Sequence, residues 1–324
     1  MVCSAPTSIA MHVFRGLPTA ESRTPCALAI GNFDGVHRGH RALLERVVAA
    51  ARERGLPAAV MTFEPHPREF FAARAGDLGR APARICNLRD KLEALRDCGI
   101  DRAIVVHFNE RFASLTPTAF VHQVLVDGCH ARWICVGDDF RYGARRAGDF
   151  DSLRAAGLAQ GFAVQSMPTV LHGDERISSS AIRAALAADD FGHAAQLLGR
   201  PYMISGRVVH GRKLGRTIGF PTLNLRVAHK RPAITGVFAV RVHGLAGDDA
   251  VLGGAASLGV RPTIEDAGKV LLETYVFDWA GDAYGKLVRI EFVAKLRDER
   301  KYPDLDALTA AIRADEHAAR AALA

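Results

Sequence analysis

Apolar runs of strand length alternate with amphipathic helical stretches through the first half of the chain, and this alternation limits the fold more than any other feature. Residues 26–33 (CALAIGNF) form an unbroken apolar run. Residues 40–54 follow with Leu43, Leu44, Val47 and Val48 at helical spacing. The exchange repeats, with strand patterns at 58–63, 103–107, 131–136 and 162–167 and helical patterns at 88–98, 117–126 and 150–159. Such a succession makes βαβ units around a parallel sheet.

Two more helical stretches, 181–187 and 191–198, precede a change of texture. From residue 203 to 293 the chain carries short β-type runs (ISGRVV, FAVRVHGL, LETYVF, LVRIEFV) punctuated by Gly and Pro. This reads as a small all-β barrel, followed by an amphipathic helix over 305–322. The expected fold is therefore an α/β domain with a parallel Rossmann-like sheet, then a small all-β barrel with a C-terminal helix. The boundary is placed near Asp189, giving domains 1–188 and 189–324.

At 324 residues and 49% hydrophobic, the chain can bury two cores without staples. No apolar run is long enough to cross a bilayer, and the opening residues lack the apolar stretch of a signal peptide. Six cysteines (Cys3, Cys26, Cys86, Cys98, Cys129, Cys135) lie scattered with no C-x-x-C pair. Reduced thiols in a cytoplasmic protein are the expectation. A net charge of +7 suits anionic ligands. The basic residues come in short clusters (Arg141, Arg145, Arg146; Arg207, Arg212, Lys213, Arg216) without interleaved aromatics, which disfavours nucleic acid.

The segment Gly31-Asn32-Phe33-Asp34-Gly35-Val36-His37-Arg38-Gly39-His40 follows a strand pattern and opens a helical one. A helix N-terminus offers unpaired N–H groups and a positive dipole end to phosphate. Gly31, Gly35 and Gly39 permit close backbone approach. His37 and His40 can donate to phosphate oxygens and stabilise charge that builds during transfer. The alternative is an ordinary strand-to-helix turn with two solvated histidines. A second segment, Ile177-Ser178-Ser179-Ser180-Ala181-Ile182-Arg183, also opens a helix, with Ser178 or Ser179 as N-cap. Its hydroxyls and the guanidinium fork of Arg183 suit β- and γ-phosphates.

Together these resemble the nucleotidyltransferases that carry a His-x-Gly-His motif and a later Ile-Ser-Ser-Ser/Thr-x-x-Arg motif. The stretches Thr62-Phe63-Glu64-Pro65-His66-Pro67 and Val136-Gly137-Asp138-Asp139-Phe140-Arg141-Tyr142-Gly143 narrow the likeness to the FMN adenylyltransferase branch of bacterial FAD synthases. Tyr142 stands where that branch more often has Phe. The resemblance implies that His37, His40, Ser178, Ser179 and Arg183 handle ATP phosphates, with Gly31 and Gly39 close by. It places Asn32, Asp34 and Asp139 around the nucleotide or flavin. Asp34-Gly35 also makes a good turn, Asp139 can cap a loop, and His66 between two prolines can be structural.

The second half opens with Gly206-Arg207-Val208-Val209-His210-Gly211-Arg212-Lys213-Leu214-Gly215-Arg216-Thr217-Ile218-Gly219-Phe220-Pro221-Thr222-Leu223-Asn224. Gly211, Gly215 and Gly219 make a basic, glycine-rich loop suited to covering phosphates. On an extended segment Thr222 and Asn224 point to one face, and a hydroxyl with an amide oxygen suits Mg²⁺. The order resembles the riboflavin kinase pattern, with Leu223 in place of the usual Ala. Its side chain should alternate away from the metal. The family's barrel strands are matched by residues 236–240 and 257–263, the latter including Arg261, Pro262 and Thr263. The resemblance makes Glu273 the catalytic carboxylate and Arg297 a flavin contact.

The family thus implied is the bifunctional riboflavin kinase/FMN adenylyltransferases, matched from about residue 12 to the end. Its reactions take riboflavin to FMN and FMN to FAD with ATP as co-substrate and Mg²⁺ as cofactor. Expected partners are riboflavin, FMN, FAD and ATP, with no nucleic acid, no membrane, and self-association left open. Three other readings stand beside it: another His-x-Gly-His nucleotidyltransferase with a β appendage, a basic nucleic-acid binder with an OB-like barrel, and a flavin-binding regulator without activity.

Overall fold

The computed structural model describes residues 11–211, 215, 218–227, 231–247, 250–260 and 270–324. Cys3, Arg212, Lys213, Arg216 and the match at Arg261, Pro262 and Thr263 lie outside the described residues. The chain divides into two units, Met1–Pro82 with Lys91–Ile177 and Ala83–Asp90 with Ser178–Ala324.

The elements of the first unit are β1 (His12–Arg15), β2 (Cys26–Ile30), α1 (Arg38–Glu53), β3 (Ala58–Glu64), α2 (Pro67–Arg74) and α3 (Leu88–Asp97), whose first residues fall in the second unit. They continue with β4 (Arg102–His107), α4 (Glu110–Ala113), α5 (Pro117–Ala119), which runs on in π-helical turns over Phe120–Val126, β5 (Ala131–Gly137), α6 (Phe150–Gln160) and β6 (Ala163–Met167). A short hairpin follows, β7 (Leu171–His172) with β8 (Glu175–Arg176). The six-stranded sheet is parallel in the order β1-β4-β3-β2-β5-β6.

Every residue of β2 is buried, as expected of a strand covered by helices on both faces. On one face Leu44, Val47 and Leu95 pack on Ala27 and Val60; on the other Val121, Leu125 and Leu153 pack on Leu28 and Ile134. The chain moves outward from β2 through β3 and β4, then returns to place β5 on the other side of β2. The reversal opens a crevice at the carboxyl ends of β2 and β5, where open α/β sheets take ligands.

Two elements carry no sequence period. β1 is a largely exposed edge strand held by backbone pairing to β4. α2 is set by its first turn: His66 caps it, Pro67 occupies its first position, and Glu69 closes the capping box.

In the second unit α7 (Ser179–Ala187) packs on α8 (Phe191–Leu198). The strands β9 (Met203–Val209), β10 (Thr222–Val227), β11 (Gly236–His243), β12 (Val251–Val260), β13 (Val270–Val276) and β14 (Leu287–Arg297) close a barrel in the order β10-β13-β12-β11-β14-β9. All its pairings are antiparallel. The last helix, α9 (Leu305–Leu323), places Ala319 and Leu323 over Ala239 and Phe277. The division sets residues 178–188 with the barrel, eleven positions before the boundary read from sequence (188 − 177).

Candidate functional site

In the first unit the loop after β2 is tied back to β3 at two points. Gly31 N–H donates to the Met61 carbonyl at 3.1 Å, and the Thr62 hydroxyl donates to the Asn32 carbonyl at 3.1 Å. Behind Thr62 lies Lys91, 1% exposed, whose ammonium donates to the same hydroxyl oxygen at 3.3 Å. Between these ties and α1 the backbone is strained: Phe33 and Val36 have φ of 47° and 41°. Non-glycine residues hold such angles only where their surroundings impose them. The loop buries Phe33 and Asp34 to 1% exposure. The Asn32 side-chain oxygen is buried without a hydrogen-bond partner among the described residues.

His37 caps α1, its Nδ1 accepting the His40 N–H at 3.2 Å. A ring nitrogen that accepts carries no proton, so any proton His37 offers to a ligand comes from Nε2. The His37 and His40 rings stack with centroids 3.6 Å apart and planes 18° from parallel. Gly39 lies close beside them: a Cβ there would meet the His37 ring at 3.3 Å and the Ile177 carbonyl at 3.4 Å. The two histidines expected from sequence thus stack as one pair at a helix N-terminus.

Across the crevice, the loop after β5 carries Asp138 and Asp139. Both are exposed, and Asp139 pairs with Arg176 of the β7–β8 hairpin at 3.0 Å. Thr169 donates to Asp138 at 2.8 Å. Tyr142 is buried, its ring 5.3 Å from Phe120 and its hydroxyl 3.4 Å from that of Ser152. The Tyr-for-Phe change is accommodated because the extra hydroxyl has Ser152 to meet.

The same carboxyl edge holds an aromatic cluster that sequence reading missed. Phe63 is the last but one residue of β3, Phe108 follows β4 and Phe112 lies in α4, with centroid separations of 5.7–5.8 Å. Phe70 and Phe71 of α2 extend it at 5.5 and 5.9 Å from Phe108, and Phe71 is 48% exposed. These phenylalanines are scattered over 50 positions of sequence (112 − 63 + 1); only the parallel strand order collects them. His66, by contrast, is a cap, accepting the Arg68 N–H at 3.1 Å.

In the second unit Ser178 is the N-cap of α7 and accepts the Ala181 N–H at 3.1 Å. Ser179 opens the helix. Arg183, one turn in, donates from Nε to the Ala83 carbonyl at 2.6 Å.

On the barrel, Asn224 of β10 stands directly opposite Glu273 of β13. Directly opposed residues share a face with Cβ atoms about 5 Å apart. Leu223, Leu225 and Val227 are buried on the inner face, so Thr222, Asn224 and Glu273 share the outer one, and Leu223 points away from them as expected. Asn224 is 5% exposed; its Nδ2 donates to the Thr222 carbonyl at 3.3 Å, and its Oδ1 is buried with no hydrogen-bond partner among the described residues. Gly211 lies against this amide so closely that a Cβ would come within 2.5 Å of it. A Cβ on Gly215 would overlap the Phe220 carbonyl. Gly219 has φ of 86°, which favours glycine. A hard, unpaired oxygen beside a hydroxyl and a carboxylate is a donor set that fits Mg²⁺.

Next to Thr222 opens a cavity of about 360 Å³, lined by Val208, Pro221, Val276, Trp279 and Tyr284. Ser257, opposite Glu273 on the other side, donates its hydroxyl to Glu299. The charged stretch after β14 therefore reaches the Glu273 row. Arg297 makes a bidentate pair with Asp315 of α9 at 2.8 and 2.6 Å and donates to the Asp298 carbonyl at 3.0 Å. The Asp315 carboxylate raises the Arg297 pKa above its ordinary value.

The model of the FAD synthetase family matches residues 19–181, and that of the riboflavin kinase family residues 198–323. The bifunctional riboflavin kinase/FMN adenylyltransferase of Escherichia coli strain K12 is 46% identical over 313 residues, covering 96% of this chain and 97% of its own length. Those of Pseudomonas fluorescens and Haemophilus influenzae are 45% and 44% identical, each covering 96% of this chain and 97% and 99% of their own lengths. A solved structure from Streptococcus pneumoniae, titled a macrolide-efflux protein, aligns with TM-score 0.71 at 28% identity over 96% of this chain and 98% of that one. No described helix of the present chain is long and apolar enough to cross a membrane. By both family models and by near-full-length identity, this chain belongs to the bifunctional riboflavin kinase/FMN adenylyltransferases.

Proposed function

We propose that the chain makes FAD from riboflavin in two steps, each run by its own set of residues. In the first, Glu273 takes the proton of the riboflavin 5′-hydroxyl as that oxygen attacks the γ-phosphate of ATP, giving FMN and ADP. Thr222 and Asn224 would hold Mg²⁺, which would neutralise charge on the transferring phosphoryl group. The loop of Gly211, Gly215 and Gly219 covers the phosphates. The cavity beside Thr222 receives the ring system of a substrate. Arg297 meets the flavin with a guanidinium already fixed in plane by Asp315.

In the second step a phosphate oxygen of FMN attacks the α-phosphate of a second ATP, and pyrophosphate leaves. His37 and His40 donate hydrogen bonds to charge growing on the phosphates. Ser178, Ser179 and Arg183 hold the β- and γ-phosphates, with the Gly31 and Gly39 backbone close by. Asn32 and Asp34 shape the nucleotide loop. The phenylalanines at the carboxyl edge receive the flavin ring, bordered by Asp139. The protein acts in the cytoplasm, without nucleic-acid or membrane partners.

The observation that carries this reading is the register of Asn224 against Glu273. It puts Asn224 and Glu273 on one barrel face with Thr222, the arrangement this reading asks of metal ligands and base, which neither a lone nucleotidyltransferase nor a nucleic-acid barrel needs. The test is a double dissociation. His40→Ala should lower FAD formation from supplied FMN by about 10²–10³-fold and spare FMN formation. Glu273→Gln should lower FMN formation by about 10²–10⁴-fold and spare FAD formation from FMN. Loss of both activities in either folded variant would refute two separate sites.

A further inference from the structure

The second unit takes in Ala83–Asp90, a segment that interrupts the first unit in sequence, and the bonds of this segment run from the barrel to Arg183. At one end Asp90 is gripped by Ser205 of β9: the Ser205 N–H donates to Oδ2 at 3.3 Å, and its hydroxyl donates to Oδ1. Asn87 donates from Nδ2 to the Ser205 carbonyl at 2.9 Å, while its Oδ1 accepts the Asp90 N–H at 2.8 Å. In the middle, Arg84 N–H donates to the Arg231 carbonyl at 2.8 Å, and Arg84 bridges to Pro232 as a parallel pair. At the other end the Ala83 carbonyl accepts the Nε–H of Arg183 at 2.6 Å.

Ser205 is 5% exposed and Arg84 2%. Part-buried hydrogen bonds of this kind, one set of them to a carboxylate, are stronger than exposed neutral ones. A guanidinium whose Nε–H is committed to a fixed carbonyl has its plane fixed as well. The place of the Ala83 carbonyl is thus set by contacts with the barrel, and the Arg183 guanidinium follows it.

We propose that Ser205, Asp90 and Asn87 are positioning residues for FMN adenylylation, acting through Arg183, although Ser205 lies on a strand of the kinase barrel. This rests on the assignment of Arg183 to the ATP phosphates made above. It extends that assignment by making adenylyl transfer depend on barrel residues remote from the Thr222, Asn224 and Glu273 set. A clamp displaced by a fraction of an ångström loses much of its effect, since about 1 Å costs on the order of 10²-fold.

The test uses the full chain. Ser205→Ala removes the hydroxyl; Ser205→Thr keeps it. Asn87→Asp keeps the acceptor that caps α3 and removes the donor to Ser205. FAD formation from FMN and FMN formation from riboflavin are measured on the same preparations, with ATP varied. Ser205→Ala and Asn87→Asp should each lower kcat for adenylylation about tenfold, with phosphorylation within about twofold of the parent. Ser205→Thr should recover most of the loss. The pair Ser205→Ala with Arg183→Ala should be no slower than Arg183→Ala alone, because both act through one group. The proposal is overturned if both positioning variants adenylylate within about twofold of the parent, if both activities fall in parallel, or if the double variant shows multiplied losses. If Arg183→Ala itself keeps full adenylylation, the phosphate assignment of Arg183 fails, and the proposal with it.

Discussion

Gly211→Ala is the sharpest test of the kinase geometry. Gly211 does not have a positive φ, so backbone strain does not enter and the effect is steric. Its new Cβ would lie 2.5 Å from Cγ, Nδ2 and Oδ1 of Asn224. Ordinary contact begins near 3.5 Å, so the amide must retreat by about 1 Å. Asn224 can do so by turning its side chain, at a cost of about 0.5–1.5 kcal/mol for a displaced rotamer, and the barrel should stay folded. Function should suffer more. The amide carries the oxygen assigned to Mg²⁺, and about 1 Å of misplacement costs on the order of 10²-fold, or roughly 2.7 kcal/mol of barrier. The assay is FMN formation from riboflavin, ATP and Mg²⁺, followed by chromatography of the flavins. FAD formation from supplied FMN serves as control on the same sample. An alanine variant that phosphorylates riboflavin within about threefold of the parent would refute the role of the Asn224 oxygen.

Two further outcomes follow from the same geometry. Phe108→Ala opens the aromatic cluster and should raise KM for FMN in adenylylation about tenfold, an aromatic contact being worth roughly 0.5–1.5 kcal/mol, with riboflavin phosphorylation unchanged in initial-rate measurements. Arg297→Met leaves the Asp315 carboxylate, 10% exposed, without its bidentate partner, and should destabilise the barrel by about 3 kcal/mol in denaturant unfolding; adding Asp315→Leu should return part of that loss.

The sheet was legible because β2 and its neighbours are covered on both faces, which forces unbroken apolar runs such as CALAI between helical periods. The barrel was legible because its strands alternate, as β13 does through Val270, Leu272, Thr274 and Val276. What escaped is held by local chemistry rather than by period. α2 exists through His66, Pro67 and Glu69, and β1 through backbone bonds to an edge.

The candidate site divides along the same line. His37, His40, Thr222, Asn224 and Glu273 were readable as motifs because each cluster is short in sequence or set by strand alternation. Phe63, Phe108 and Phe112 were not, since adjacency at the end of parallel strands depends on the strand order, which a single sequence leaves open. The placement of α7 shows the deeper reason. Its serine cap and Arg183 can be read one residue at a time, yet what fixes Arg183 is a carbonyl a hundred positions earlier, in a segment whose own anchors are Ser205 and Arg231. Backbone carbonyls have no residue signature. A motif therefore points to a group long before it reveals what holds that group still, and for Arg183 the holding bonds run through Ala83 to a segment anchored on Ser205 of a barrel strand.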